Sequence, residues 1–155
     1  FPEFMKKLCL IADIITPNIT EACFLTQTEY LKPPFKKEYI NKLLKRLKSL
    51  TNAKIVLTGV SFDEEKTGVA CFDGKDESYI LSRRINAAFH GTGDVFASVL
   101  TAAMTKGKNL LKSAEIAEKF TVKAIKRTLE VTPDSRYGVD FEEELPYLIR
   151  LLKSD

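Results

Sequence analysis

The chain has 155 residues, 45% of them hydrophobic and 29% charged, a balance that excludes a disordered polymer and leaves enough apolar mass for a real core. The formal net charge is only +3, with acids and bases interspersed, which argues against a nucleic-acid binder. No apolar run reaches membrane-spanning length, and no charged-then-apolar leader opens the chain.

In chain order, EFMKKLCLIA (3–12) places Phe4, Leu8 and Ile11 at helical spacing and starts without a cap. ADIITPN (12–18) reads as a short buried strand that Pro17 stops. NITEACFLT (18–26) begins a second helix, and Pro33-Pro34 breaks the chain ahead of KKEYINKLLKRLKSL (36–50). That segment is amphipathic, with Leu43, Leu44, Leu47 and Leu50 inward. The basic stretch within it, 45–50, is therefore a solvated helix face before it is a binding patch.

AKIVLTGV (53–60) is a continuous apolar run ended by Gly59, the pattern of a strand buried on both faces. TGVACFD (67–73) and ESYILSRRI (77–85) flank Asp73-Gly74, a hairpin signal at a sheet edge. Residues 92–106 read as an apolar helix and 113–129 as another, capped by Ser113. A last helix, from about Phe141 to Leu152, follows DSRYG. Helices alternating with buried strands predict an α/β layered sheet, and ligands collect at the carboxyl ends of strands in such sheets. Cys9, Cys23 and Cys71 are odd in number, sit in apolar contexts and lack CxxC spacing. Buried thiols in a reducing compartment, the cytoplasm, is the expectation.

The stretch AFHGTGDVFASVL (88–100) carries the most chemistry. A helix N-terminus leaves N–H groups unpaired and partially positive, and glycines let a bulky anion approach the main chain. Gly91-Thr92-Gly93 is thus a phosphate cradle by type. Asp94 would repel a phosphate that was merely held, but it makes sense facing a hydroxyl that must lose a proton to attack that phosphate. The structural alternative is a dipole-stabilising acid, a capping Thr92 and ordinary loop glycines.

Asn18 with Glu21 three residues on has the pattern of a capping box; the same pair could hold magnesium beside a nucleotide's phosphates, directly or through water. Both can be true at once. Thr58 before Gly59 could bind a phosphate or simply end a strand. His90, beside the glycine loop, reads as packed or exposed rather than catalytic.

IITPNITEA (14–22), IVLTGV (55–60) and FHGTGDVFASVL (89–100), in this order and spacing, resemble the pyridoxal kinase branch of the ribokinase-like superfamily over nearly the whole chain. The resemblance implies a three-layer α/β/α fold with a mostly parallel central sheet and an antiparallel edge hairpin. It implies ATP-dependent phosphorylation of the 5′-hydroxymethyl of pyridoxal, pyridoxine or pyridoxamine, with hydroxymethylpyrimidine kinase as the nearest alternative. A sugar kinase is more distant, and a half-domain that only binds or scaffolds is the rival from another class. Asp94 becomes the catalytic base, and Gly91, Thr92 and Gly93 the anion hole. Thr16, Asn18, Thr58 and Gly59 serve the nucleotide, with Ile85, Phe89 and Ile125 as an apolar wall near adenine. Glu21 and Asn18 serve Mg2+, and the use of a monovalent cation stays open. Expected partners are ATP and a B6 vitamer, with no nucleic acid or membrane, and a homodimer in the full-length protein. Members are much longer. The chain is therefore expected to be one incomplete unit, the C-terminal half, that binds ATP weakly and turns over pyridoxal negligibly by itself.

Overall fold

The computed structural model describes residues 2–87, 89–131 and 138–154. Its elements run α1 (Pro2–Ile11), β1 (Ile14–Ile15), α2 (Ile19–Thr26), α3 (Lys37–Leu50), β2 (Lys54–Val60), β3 (Lys66–Phe72), β4 (Glu77–Arg83), α4 (Thr92–Thr105), α5 (Leu110–Val131), a 3-10 turn (Glu142–Glu144) and α6 (Leu145–Lys153). DSRYG, apart from its glycine, lies outside the described residues, as does Ala88. The chain divides between Arg84 and Ile85 into two compact units.

The first unit is built on a four-stranded sheet in the order β1-β2-β3-β4. Its core joins Ile40, Leu43, Leu44 and Leu47 of α3, one stripe at helical spacing, to Ile19, Ala22 and Leu25 of α2 and to Ile55, Leu57, Ala70 and Phe72 of the sheet. Val56, Val69 and Cys71 alternate with those strand residues and are buried too, so β2 is covered on both faces, as its unbroken apolar run implies. Cys9 and Cys23 are likewise buried. The Tyr39 phenol pins the loop after α2 by donating to Glu29 O at 2.8 Å. Burial, reinforced by the Cys23 thiol 3.1 Å away, pushes its pKa up to about 12 and keeps it a donor.

The sheet corrects one expectation. β1 pairs parallel to β2, whereas β2–β3 and β3–β4 are both antiparallel. The sheet is mixed rather than mostly parallel among the described residues, because a parallel pair needs a crossover and only α2 and α3, between β1 and β2, supply one. The β3–β4 hairpin turns at Asp73-Gly74 as expected. There the Asp73 carboxylate accepts from Lys75 N and Asp76 N, and those bonds hold its pKa below the usual carboxylate range.

The apolar stripe of α1 stays open: Phe4 is 73% and Ile11 81% exposed, and Cys9 is the only buried residue of this helix among those whose side chains are described. Among the described residues no helix is long and apolar enough to cross a membrane.

In the second unit α4 packs along α5, with Phe96, Val99, Leu100 and Ala103 buried on one helix and Ala114, Ala117, Phe120 and Ala124 on the other. The alanines allow close approach along that seam. A second correction falls here. The cap of α5 is Asn109, whose side-chain oxygen accepts from Lys112 N at 2.8 Å, and Ser113 lies fully buried one turn inside the helix. Ser113, the expected cap, comes one turn too late because the Asn109 side chain already satisfies a free N–H of the first turn. The last helix opens through the 3-10 turn, and Pro146 occupies its first turn, where a missing N–H costs nothing.

Candidate functional site

In the second unit, Gly91 is the N-cap of α4 and has φ +79°, a left-handed conformation that favours glycine. No side chain caps the helix, and its first internal bond is Val95 N–H to Gly91 O at 2.9 Å. The N–H groups of Thr92, Gly93 and Asp94 therefore precede the ladder. Thr92 does not cap the helix with its side chain, as the structural alternative would have it. Its hydroxyl donates to Phe89 O at 2.7 Å, which ties down the turn and leaves only its main-chain N–H for a ligand.

Gly93 is the informative residue. It does not have a positive φ, and a Cβ built on it would meet nothing within 4 Å. Neither backbone conformation nor packing asks for glycine there, and glycine in a helix costs about 0.5–1 kcal/mol relative to alanine. Asp94 follows, exposed to solvent at the helix start and clear of the apolar interior. Behind the loop, Gly138 (φ +104°) would put a Cβ 3.1 Å from His90 O, so its glycine is set by contact with the loop's own main chain. Nothing in the sequence pattern linked residue 138 to residue 90. His90 is exposed, and Ile85, Phe89 and Ile125 are each half-buried in this unit.

In the first unit, Asn18 and Glu21 form the complete reciprocal box. Asn18 N donates to Glu21 Oε2 at 2.9 Å, and Glu21 N donates to Asn18 Oδ1 at 2.8 Å. The structural reading of the pair is thus realised, and it leaves the second carboxylate oxygen of the exposed Glu21 for other work. Thr58 continues the parallel pairing beyond β1: it bridges to Asn18, and its N–H donates to Pro17 O at 2.9 Å. Pro17 accepts there but has no N–H to extend the ladder further. Gly59 (φ +77°) is the residue without a partner where the β2–β3 register shifts between Thr58 and Val60.

Two hollows flank the start of α2. Thr16 and Glu21 open on an apolar one of about 550 Å3, walled by Leu8, Phe24 and Leu25. Asn18 and Gly59 open on a more polar one of about 310 Å3 with Ser61, Thr67 and Arg84. The nucleotide residues expected from the sequence are thus split: Thr16 faces one hollow, Asn18 and Gly59 the other, and the Thr58 hydroxyl turns to Pro17 O. Ser61, Thr67 and Arg84 are additions that no motif singled out.

The family model for phosphomethylpyrimidine kinase matches residues 2–138. The chain belongs to the phosphomethylpyrimidine kinase family. Among its relatives, pyridoxine kinase of Bacillus subtilis is 28% identical over 79% of this chain and 45% of its own length. Hydroxymethylpyrimidine/phosphomethylpyrimidine kinase of Haemophilus influenzae is 32% identical over 81% of this chain and 47% of its own length. The crystal structure of pyridoxal kinase from Lactobacillus plantarum matches with a TM-score of 0.86 at 28% identity, over 97% of this chain and 54% of that one. Pyridoxal kinase from Staphylococcus aureus, matched at 26% identity, has been solved with AMP-PCP (TM-score 0.72) and with pyridoxal (TM-score 0.71). The expected ribokinase-like α/β fold is therefore the fold of this family member, and the chain spans about half the length of these relatives.

A metal in this phosphomethylpyrimidine kinase family member would draw on few protein ligands, since no group of three or more His, Cys, Asp or Glu stands together among the described residues. The free oxygen of Glu21 fits a magnesium ion held mainly by phosphates and water, the usual manner of Mg2+ at nucleotides.

Proposed function

We propose that the chain forms part of an ATP-dependent kinase that phosphorylates the 5′-hydroxymethyl group of pyridoxal or a related B6 vitamer. The observation that carries this reading is the bare first turn of α4, with a glycine at 93 that packing does not require and a solvent-facing carboxylate at 94. The ordered likeness to pyridoxal kinases supports it, as do the AMP-PCP and pyridoxal complexes of the staphylococcal enzyme.

In the reaction the acceptor alcohol attacks the γ-phosphorus of ATP, the new P–O bond forms as the bond to ADP breaks, and the alcohol proton passes to the Asp94 carboxylate. The N–H groups at 92, 93 and 94 donate to the equatorial oxygens where charge is held in the transition state. Gly91 sets their direction through its left-handed turn. Asn18, Thr16, Thr58 and Gly59 serve the nucleotide, and Ile85, Phe89 and Ile125 line the adenine side. Magnesium, when bound, neutralises phosphate charge, and Glu21 is the carboxylate that would hold it, with the Asn18 amide beside it.

Glu21→Gln separates the cap from the metal role. Glutamine also closes a capping box, so thermal stability should stay within about 0.5 kcal/mol of the parent. The Mg2+ concentration for half-maximal activity should rise about tenfold, the scale of losses when a metal site is disturbed. An unchanged Mg2+ requirement would leave Glu21 as a cap alone.

A second reading, hydroxymethylpyrimidine kinase, is favoured by the family match and by the Haemophilus relative. Competition among pyridoxal, hydroxymethylpyrimidine and ribose for phosphorylation by the intact protein decides between them. Preferential phosphorylation of pyridoxal is expected; preference for the pyrimidine would move the assignment to the second reading.

A further inference from the structure

The open stripe of α1 continues onto its neighbours. Phe4, Leu8 and Ile11 share one face of the helix by their spacing, and all three are exposed. Met5 and Leu8 of α1 and the exposed Phe24 of α2 then meet at the apolar hollow of about 550 Å3. Among the described residues that line this hollow, Glu21 alone is charged, and its Oε2 accepts from Asn18 N. Single apolar side chains scattered over a surface need no explanation, but a contiguous group of large ones marks an interaction site.

The sheet is open on the same side. β1 is the last strand in the order, so its second edge pairs with no strand among the described residues. Ile15 of β1 also lines the hollow. A free strand edge beside an apolar hollow is a place where another strand can add.

The relatives indicate the occupant. The family model matches from residue 2, so α1 belongs to the family's fold and its stripe is not an appendage. The match covers 54% of the Lactobacillus enzyme and 45% of the Bacillus one, so about half of each relative lies outside it. A second copy of this chain is a poorer candidate. It would bring the same edge of two residues, shorter than strands that hold a sheet together.

We propose that the face made by α1, Phe24 and the free edge of β1 is the docking surface for the half of the relatives' fold that lies outside the match. The occupant is an α/β segment that lays a strand along β1 and sets apolar side chains into the hollow. It closes over Thr16 and Glu21, which open on that hollow. Docking requires the family's fold but not its reaction.

The probe is the part of Bacillus subtilis pyridoxine kinase outside the matched stretch, added in trans to the 155-residue chain or fused ahead of Phe1. Hydroxyl-radical footprinting read by mass spectrometry follows Phe4, Leu8 and Phe24, with the exposed Leu111 of α5 as internal control. With the probe at about four times its Kd, oxidation of the three should slow about fivefold while Leu111 is unchanged. Light scattering should give one copy of each polypeptide, and fusion should protect the three at every concentration. Leu8→Glu and Phe24→Glu should each weaken the complex about tenfold or more. Both positions are exposed, so the melting temperature of the chain alone should move by no more than about 2 °C. Full reactivity of Phe4, Leu8 and Phe24 in trans and in the fused protein overturns the docking surface, and the fusion covers a probe that does not fold by itself. A complex indifferent to both glutamate variants also overturns it. A dimer of the chain alone that protects the three overturns the assigned occupant in favour of a second copy. Protection in a fused protein that phosphorylates no alcohol leaves the docking surface standing and defeats the kinase reading. Phosphoryl transfer by a fused protein whose face stays reactive does the reverse.

Discussion

Asp94→Asn is expected to lower turnover by about two to four orders of magnitude, the range associated with removing a positioned general base. The substitution is nearly isosteric, and the side chain is exposed in the first turn of α4, so no packing is disturbed. It removes a charge that favours the helix N-terminus, which costs about 0.3–1 kcal/mol at an exposed site. Stability therefore falls slightly while the chemical step falls steeply. Steady-state kinetics and a melting curve on the same preparation distinguish the proposal from a purely structural acid, which would move the melting curve and spare kcat.

Gly93→Ala should change stability and activity in opposite directions. A Cβ there meets no atom within 4 Å, and φ is not positive, so the helix gains about 0.5 kcal/mol from the better helix former. On the proposed reading the same methyl group would stand where a phosphoryl oxygen approaches the amides, and losing one such donor costs about 10²–10³ in kcat. Gly91→Ala differs: its φ of +79° makes alanine strained, so both stability and turnover decline. A more stable, fully active Gly93→Ala protein would show that nothing approaches this turn.

The legible parts of the fold were those set by local pattern. The α3 stripe, the both-faces burial of β2, the Asp73-Gly74 turn and the Asn18–Glu21 box are all short-range consequences of side-chain spacing, and all are present. The mixed sheet was less legible, since strand direction depends on which connections cross over. The start of α5 was missed because Asn109 and Ser113 are both competent caps one turn apart, and only the three-dimensional burial of Ser113 decides between them.

The candidate site divides the same way. Gly91 to Asp94 could be read as a phosphate cradle from residue types alone. Gly138 and Arg84 could not: one is recognised only by its contact with His90 O and the other only by its place in the polar hollow. Neither signal exists in a linear string. The split of Thr16 from Asn18 and Gly59 between two hollows was equally invisible, since residues two apart in a loop carry no mark of which way each faces.

The most direct measurement is a calorimetric titration of the intact protein and its Asp94→Asn variant with Mg-ATP, read beside pyridoxal turnover by each. The account predicts binding of the nucleotide to both proteins with Kd values within about threefold, less than 1 kcal/mol, and turnover by the parent alone. Failure of both proteins to bind, or turnover by the variant equal to that of the parent, would contradict it.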